Sequence, residues 1–158
     1  MKFLADGMLG NISRWLRLLG YDVKYERLMN DGELLLKSML EGRILLTSDI
    51  ELFRLAKRRG LESVLVKGTS TVEGLSRLSK KLKLPLVFDQ MKSRCPTCGS
   101  PLTRVAKTLI VDRIPRKTYE SHSRFWLCTD QSCSKVYWRG SHWRNIEKTL
   151  AKTRERVK

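Results

Sequence analysis

Four cysteines and a few carboxylates are the residues of this 158-residue chain whose spacing can do chemistry. Cys95-Pro96-Thr97-Cys98-Gly99 is a tight turn that offers two thiolates to one ion. Cys128 and Cys133, with four residues between them, supply a second pair. Two such pairs match a structural Zn²⁺ site of four thiolates, closed and without an open position for water. A redox pair accounts for Cys95 and Cys98 but leaves Cys128 and Cys133 unused, and free buried thiols need no such spacing.

The carboxylates offer a harder kind of ligand. Asp6 follows the apolar run Lys2–Ala5, Asp49 ends Thr47-Ser48-Asp49 after the apolar run Arg43–Thr47, and Asp31 stands near Glu33. Clustered carboxylates repel one another and are tolerated where a cation such as Mg²⁺ or Mn²⁺ neutralises them. That ion can polarise a phosphodiester and generate a hydroxide nucleophile. Each acid also has a local alternative: Asp31 and Asp49 as helix caps, Asp6 as a turn former before Gly7.

The elements decide whether these acids meet. Residues 1–84 alternate short apolar strands with helices: strands at Lys2–Ala5, Tyr21–Tyr25, Arg43–Thr47 and Ser63–Lys67, and helices over Met8–Leu19, Asp31–Leu40, Ser48 or Asp49 to Arg59, and Thr71–Leu82. Asn30 is placed to cap the second helix, and Gly20, Gly42 and Gly60 are stops. This rhythm implies an α/β fold, a parallel sheet with helices on both faces. Asp6, Asp31 and Asp49 then lie at the carboxyl ends of the strands, where such sheets place their ligands. Glu33 could substitute for Asp31. Pro85 and the stretch Asp89–Arg94 mark a boundary, dividing the chain into 1–88 and 92–158. The second part shows three short β-like runs, with room for a β-hairpin between the cysteine pairs. A final helix from His142 to about Val157, capped by Ser141, keeps Trp143, Ile146 and Leu150 on one face and basic residues outside.

Charge points to the partner. The chain carries 32 Lys+Arg against 16 Asp+Glu, a formal +16. Residues 91–158 hold 16 basic and 5 acidic side chains, so +11 of that total. Such a field attracts polyanions, nucleic acid first among them. Asp6 comes too early for a signal peptide, and no apolar run reaches membrane-spanning length. The expectation is a cytoplasmic (or nuclear) protein, where four cysteines ligate metal rather than form disulfides.

Phe3-Leu4-Ala5-Asp6-Gly7-Met8-Leu9-Gly10 with Arg14-Trp15-Leu16-Arg17-Leu18-Leu19-Gly20-Tyr21-Asp22-Val23 resembles the opening of the Mut-seven carboxy-terminal ribonuclease domain family. Arg43-Ile44-Leu45-Leu46-Thr47-Ser48-Asp49 resembles its second signature. The Cys-Pro-x-Cys-Gly turn, the later cysteine pair and Tyr137-Trp138-Arg139-Gly140-Ser141-His142-Trp143 resemble its zinc-ribbon tail. The resemblance covers nearly the whole chain. It implies a PIN-like fold with an acidic metal-binding site, cleavage of single-stranded RNA, and Asp6 and Asp49 as the best-matching acids, with Asp31 a third. The chain departs from the pattern at Ser48, where the family has a basic residue. It departs again after the fourth strand, where Gly68-Thr69-Ser70-Thr71 carries no acid before Glu73.

The sequence is therefore read as a metal-dependent endoribonuclease. Asp6 and Asp49 hold Mg²⁺ or Mn²⁺, with Asp31 as a third catalytic acid. Thr47 or Ser48 orients water or phosphate, and Arg14 and Arg17 flank the acids to hold phosphates. The ribbon, with Cys95, Cys98, Cys128 and Cys133 on zinc, grips RNA. Trp138 and other aromatics there either pack the ribbon or stack on bases, while His122 and His142 serve hydrogen bonding or RNA contact. Ribosomal and transfer RNA are candidate partners, and a homodimer is compatible with the sequence. The alternatives are a non-catalytic RNA- or ribosome-binding protein with a degenerate acid site, and a toxin-like nuclease, against which the zinc tail argues.

Overall fold

Alternating side chains divide the first sheet between two apolar layers. In the computed structural model, which describes residues 1–67 and 70–158, four parallel strands stand in the order β2-β1-β3-β4. They are β1 (Lys2–Ala5), β2 (Asp22–Tyr25), β3 (Ile44–Thr47) and β4 (Ser63–Leu65). Helices α1 (Gly10–Leu18), α2 (Asp31–Glu41), α3 (Ile50–Arg58) and α4 (Thr71–Leu82) connect or follow them. Phe3, Ala5, Ile44, Leu46 and Val64 face one way, against Leu9, Ile12 and Leu16 of the α1 region and Leu75 and Leu78 of α4. Leu4 and Leu45 face the other way, against Leu34 and Leu35 of α2 and Leu52 and Ala56 of α3. Each fully buried leucine contributes about 1.5–3 kcal/mol. The α1–α4 contact is close enough that a Cβ on Gly74 would meet Ile12 Cδ1 at 2.5 Å.

The caps largely follow the sequence. Asn30 and Glu33 form a capping box on α2, Asp49 caps α3, and Ser70 caps α4. Gly68 and Thr69, in the loop expected to lack an acid, lie outside the described residues.

The cysteine-bearing part is a three-stranded antiparallel sheet, β5 (Leu102–Val105), β6 (Phe125–Cys128) and β7 (Val136–Trp138), in the order β5-β6-β7. β5 and β6 pair as a hairpin would, but the connection contains a 3-10 helix (Lys107–Arg113) and α5 (Arg116–Ser121). Ile110 and Ile114 from this insertion cover Phe125 and make a small third core. The last helix, α6 (His142–Val157), packs on α4 of the first unit. Leu150 is fully buried there, Ser76 Oγ donates to the Thr153 carbonyl at 3.4 Å, and Arg154 donates to the Leu86 carbonyl at 3.0 Å. Ser141 stands at the start of α6, but its hydroxyl makes no cap hydrogen bond. No described helix is long and apolar enough to cross a membrane.

Candidate active site and metal centre

The connection leaving β1 runs to one face of the sheet and the connection leaving β3 runs to the other. The carboxyl ends of these neighbouring strands thus flank a topological switch point, the place where open α/β sheets form a ligand crevice. Asp6 extends β1 by one residue there, its N–H bonded to the Leu46 carbonyl at 3.1 Å. Its side chain is 6% exposed and accepts three hydrogen bonds. The Met8 N–H donates to Oδ1 at 3.0 Å, while the Thr47 hydroxyl and the Ser48 N–H, at 3.3 Å, donate to Oδ2. Thr47, wholly buried, also accepts the Asp49 N–H on Oγ1 at 3.0 Å. Thr47 therefore links the Asp6 carboxylate to the Asp49 backbone.

Asp49 is exposed, and its Oδ1 accepts the N–H groups of Glu51 and Leu52 at 2.7 and 3.2 Å. It is both the cap of α3 and a neighbour of the Asp6 site. Asp31 is exposed in the first turn of α2. Glu33 cannot readily replace it, because its Oε2 accepts the Asn30 N–H at 2.9 Å in the capping box. Among the described residues, Asp6, Asp31 and Asp49 do not converge as a group of three ligands, whereas the cysteines do.

The four sulfurs lie within 4.8 Å of one another. Cys95 and Cys133 are 3.7 Å apart and Cys98 and Cys128 are 3.3 Å apart, Sγ to Sγ. Tetrahedral coordination with bonds of about 2.3 Å places sulfurs about 3.8 Å apart, so the cluster could hold a metal ion such as zinc. The first knuckle closes through the Gly99 N–H on the Cys95 carbonyl at 2.8 Å, with Gly99 at φ +86°. The second closes through the N–H groups of Cys133 and Ser134 on the Asp130 carbonyl. The Tyr137 hydroxyl lies 3.1 Å from Cys95 Sγ, an outer-shell donor to a thiolate. Burial alone raises the Cys95 thiol, but Tyr137 and the backbone N–H groups of Cys98 and Thr97 outweigh it and bring it down to about 6. Burial pushes the Cys128 and Cys133 thiols up.

Arg17 corrects the sequence reading. Expected to hold phosphates, it is 5% exposed and bolts the first knuckle to the sheet unit. Nε and Nη2 donate to the Val23 carbonyl at 3.0 and 2.9 Å, and Nη1 donates to the carbonyls of Pro96 at 3.3 Å and Thr97 at 2.9 Å. A Cβ on Gly99 would lie 2.9 Å from Arg17 Nε, so only glycine admits this approach. Burial pulls the guanidinium below its ordinary range, opposed by the Cys98 and Cys95 thiolates. Arg14, by contrast, is exposed on α1. Trp138 is half-buried, 6.4 Å from Phe125 between ring centroids, and His142 is exposed at the start of α6.

A basic groove went unread in the sequence. Lys67, Arg77, Lys80, Lys81 and Arg156 line a concavity of about 850 Å³ between α4 and α6, where Arg156 pairs with Glu73 at 2.8 Å. Arg77, Lys80 and Lys81 recur at helical spacing, which is the local signal. The docking of α6 that completes the groove has no local signature.

The Mut7-C RNAse domain family model matches residues 1–150, through both the acid-bearing sheet and the cysteine module. No curated protein and no solved structure matches the chain. With the family pattern running across nearly its whole length, the chain belongs to the Mut7-C RNAse domain family.

Proposed function

We propose that the chain is a PIN-type, metal-dependent endoribonuclease acting on single-stranded RNA in the cytoplasm. The observation that carries this reading is the Asp6–Thr47–Asp49 linkage at the β1/β3 switch point. Its donors are all oxygen, and magnesium sites commonly use one or two carboxylates completed by water and substrate phosphate, so the pair suits Mg²⁺ or Mn²⁺. Such an ion, when bound, polarises the scissile phosphate and acidifies a water.

Asp6 is pre-set by its three donors, so its carboxylate need not reorganise to act. Thr47 already donates and accepts, which leaves the half-buried Ser48 hydroxyl to orient water or phosphate. Asp31, exposed in the first turn of α2, is the third acid of this reading. The α4–α6 groove and Arg14 hold the RNA backbone, and the ribbon, with Zn²⁺ on its four cysteines, adds further contact. Ribosomal and transfer RNAs are the substrates to try first. Incubation with labelled single-stranded RNA in EDTA, Mg²⁺ or Mn²⁺ is expected to give internal cuts only with divalent metal; cutting in EDTA would contradict the proposal.

A second reading, an RNA-binding protein without turnover, draws on the lack of three converging carboxylates among the described residues. Tight RNA binding with no cleavage under any divalent ion would select it.

A further inference from the structure

We infer that the junction between the ribbon and α6 is a receptor for one unpaired nucleobase of the bound RNA. This rests on RNA being the partner but not on cleavage. A cavity of about 390 Å³ opens where the ribbon sheet, the end of α1, the linker around Phe88 and the start of α6 meet. Its walls include Trp126, Tyr137, Trp138, Trp143 and Phe88. Flat aromatic walls accept the face of any base, which is how single-strand binders hold bases.

Two observations point to a base rather than to an apolar side chain. Gln90 adds a side-chain amide that can both donate and accept at the cavity wall. Finally, the surroundings are basic. Two further concavities adjoin the cavity, one sharing Trp138, Gly140 and His142 and the other sharing Gln90 and Trp126. They carry Lys117, Arg124, Arg139 and Arg144, and no acidic residue lines either among those described. Phosphates on both sides of an inserted base would meet cations.

The walls are already set. Phe88 and Trp143 meet in a T-shaped contact with centroids 4.5 Å apart, and the Arg139 guanidinium lies 4.3 Å from the Trp143 ring centroid. The cavity borders Leu18, at the end of α1 remote from the Asp6 edge. It therefore governs binding rather than the reacting atoms.

The test is a pair of fluorescence-labelled oligomers, eight uridines and the same backbone with every base removed, titrated into the zinc-loaded full chain without added Mg²⁺ or Mn²⁺. The wild type is expected to prefer the base-bearing strand about tenfold, the effect of stacking one base. Trp143→Ala should lose most of that preference and Trp143→Phe should keep it, with the zinc content and circular dichroism of both variants unchanged. Should Trp143→Ala fail that folding check, Gln90→Ala, at a half-buried linker position, takes its place and should weaken the preference. Equal affinity of the wild type for both strands overturns the base receptor while leaving the RNA reading intact. Failure to bind either strand overturns both. A wild-type dimer that Trp143→Ala dissolves would make a second copy the occupant and overturn the inference.

Discussion

Replacing Arg17 by methionine keeps most of the buried stem and removes the fork. Four donated hydrogen bonds to three carbonyls disappear. The Val23 carbonyl, in a residue 2% exposed, stays largely out of water and so costs about 1–3 kcal/mol unpaired. The Pro96 and Thr97 carbonyls lie nearer solvent and regain water in part, adding about 0.5–1.5 kcal/mol each. The variant should therefore lose about 2–6 kcal/mol, a large share of the roughly 5–15 kcal/mol that holds a domain. For a chain of this size that lowers Tm by roughly 10 °C. Arg17→Lys should recover only part, since an ammonium cannot span both the strand and the knuckle. Urea and thermal unfolding of the zinc-loaded proteins read the stability, and RNA affinity against salt reads the phosphate role. A phosphate contact would carry a slope of about 0.7–1 in log K against log salt, and Arg17→Met should leave that slope unchanged. Stability within about 1 kcal/mol of wild type together with a slope reduced by about one would refute the bolt and restore the phosphate role.

Thr47→Val keeps shape but removes the hydroxyl shared by Asp6 and Asp49. Unfolding should show a loss of about 1–3 kcal/mol, and RNA cleavage should fall well beyond what that loss explains. Elemental analysis should find about one zinc per chain, and chelation should unfold the ribbon while the parallel sheet keeps its circular dichroism; a zinc-free chain with an intact ribbon would contradict this. Glu41 is held down to about 2 by hydrogen bonds from Lys24 and Arg43. A depressed carboxyl contributes stability that is fully present above its unfolded value of 4.5 and lost as pH falls toward 2. Tm should therefore drop across that window, and Glu41→Gln should make the drop shallower.

The parallel sheet was legible because β1, β3 and β4 are short, mostly apolar runs bounded by turn or cap residues, and local chemistry places these. The positions of Asp6 and Asp49 at the carboxyl edge were legible from topology, which carries a residue that follows a strand to that edge. Cys95, Cys98, Cys128 and Cys133 were legible from spacing. What escaped the reading depends on contacts between distant segments. Arg17 looked like a surface cation, although it shares the buried stripe of Ile12, Ser13 and Leu16 on α1. Its position on that stripe was the available hint, but its acceptors on the first knuckle lie about 80 residues away in sequence. The 3-10 helix and α5 insertion is short and polar, held by Ile110 and Ile114 rather than by periodicity. The α6 helix showed its apolar face, but nothing in its own sequence named α4 as the surface that covers it.

The central claim is that Asp6 and Asp49 act on RNA together, and single-turnover cleavage of a single-stranded RNA in Mn²⁺ tests it most directly. Asp6→Asn and Asp49→Asn should each lower the rate at least a hundredfold, the scale of losing one preorganised catalytic group, with zinc content and RNA affinity unchanged. Cleavage at the wild-type rate by either variant would contradict the account.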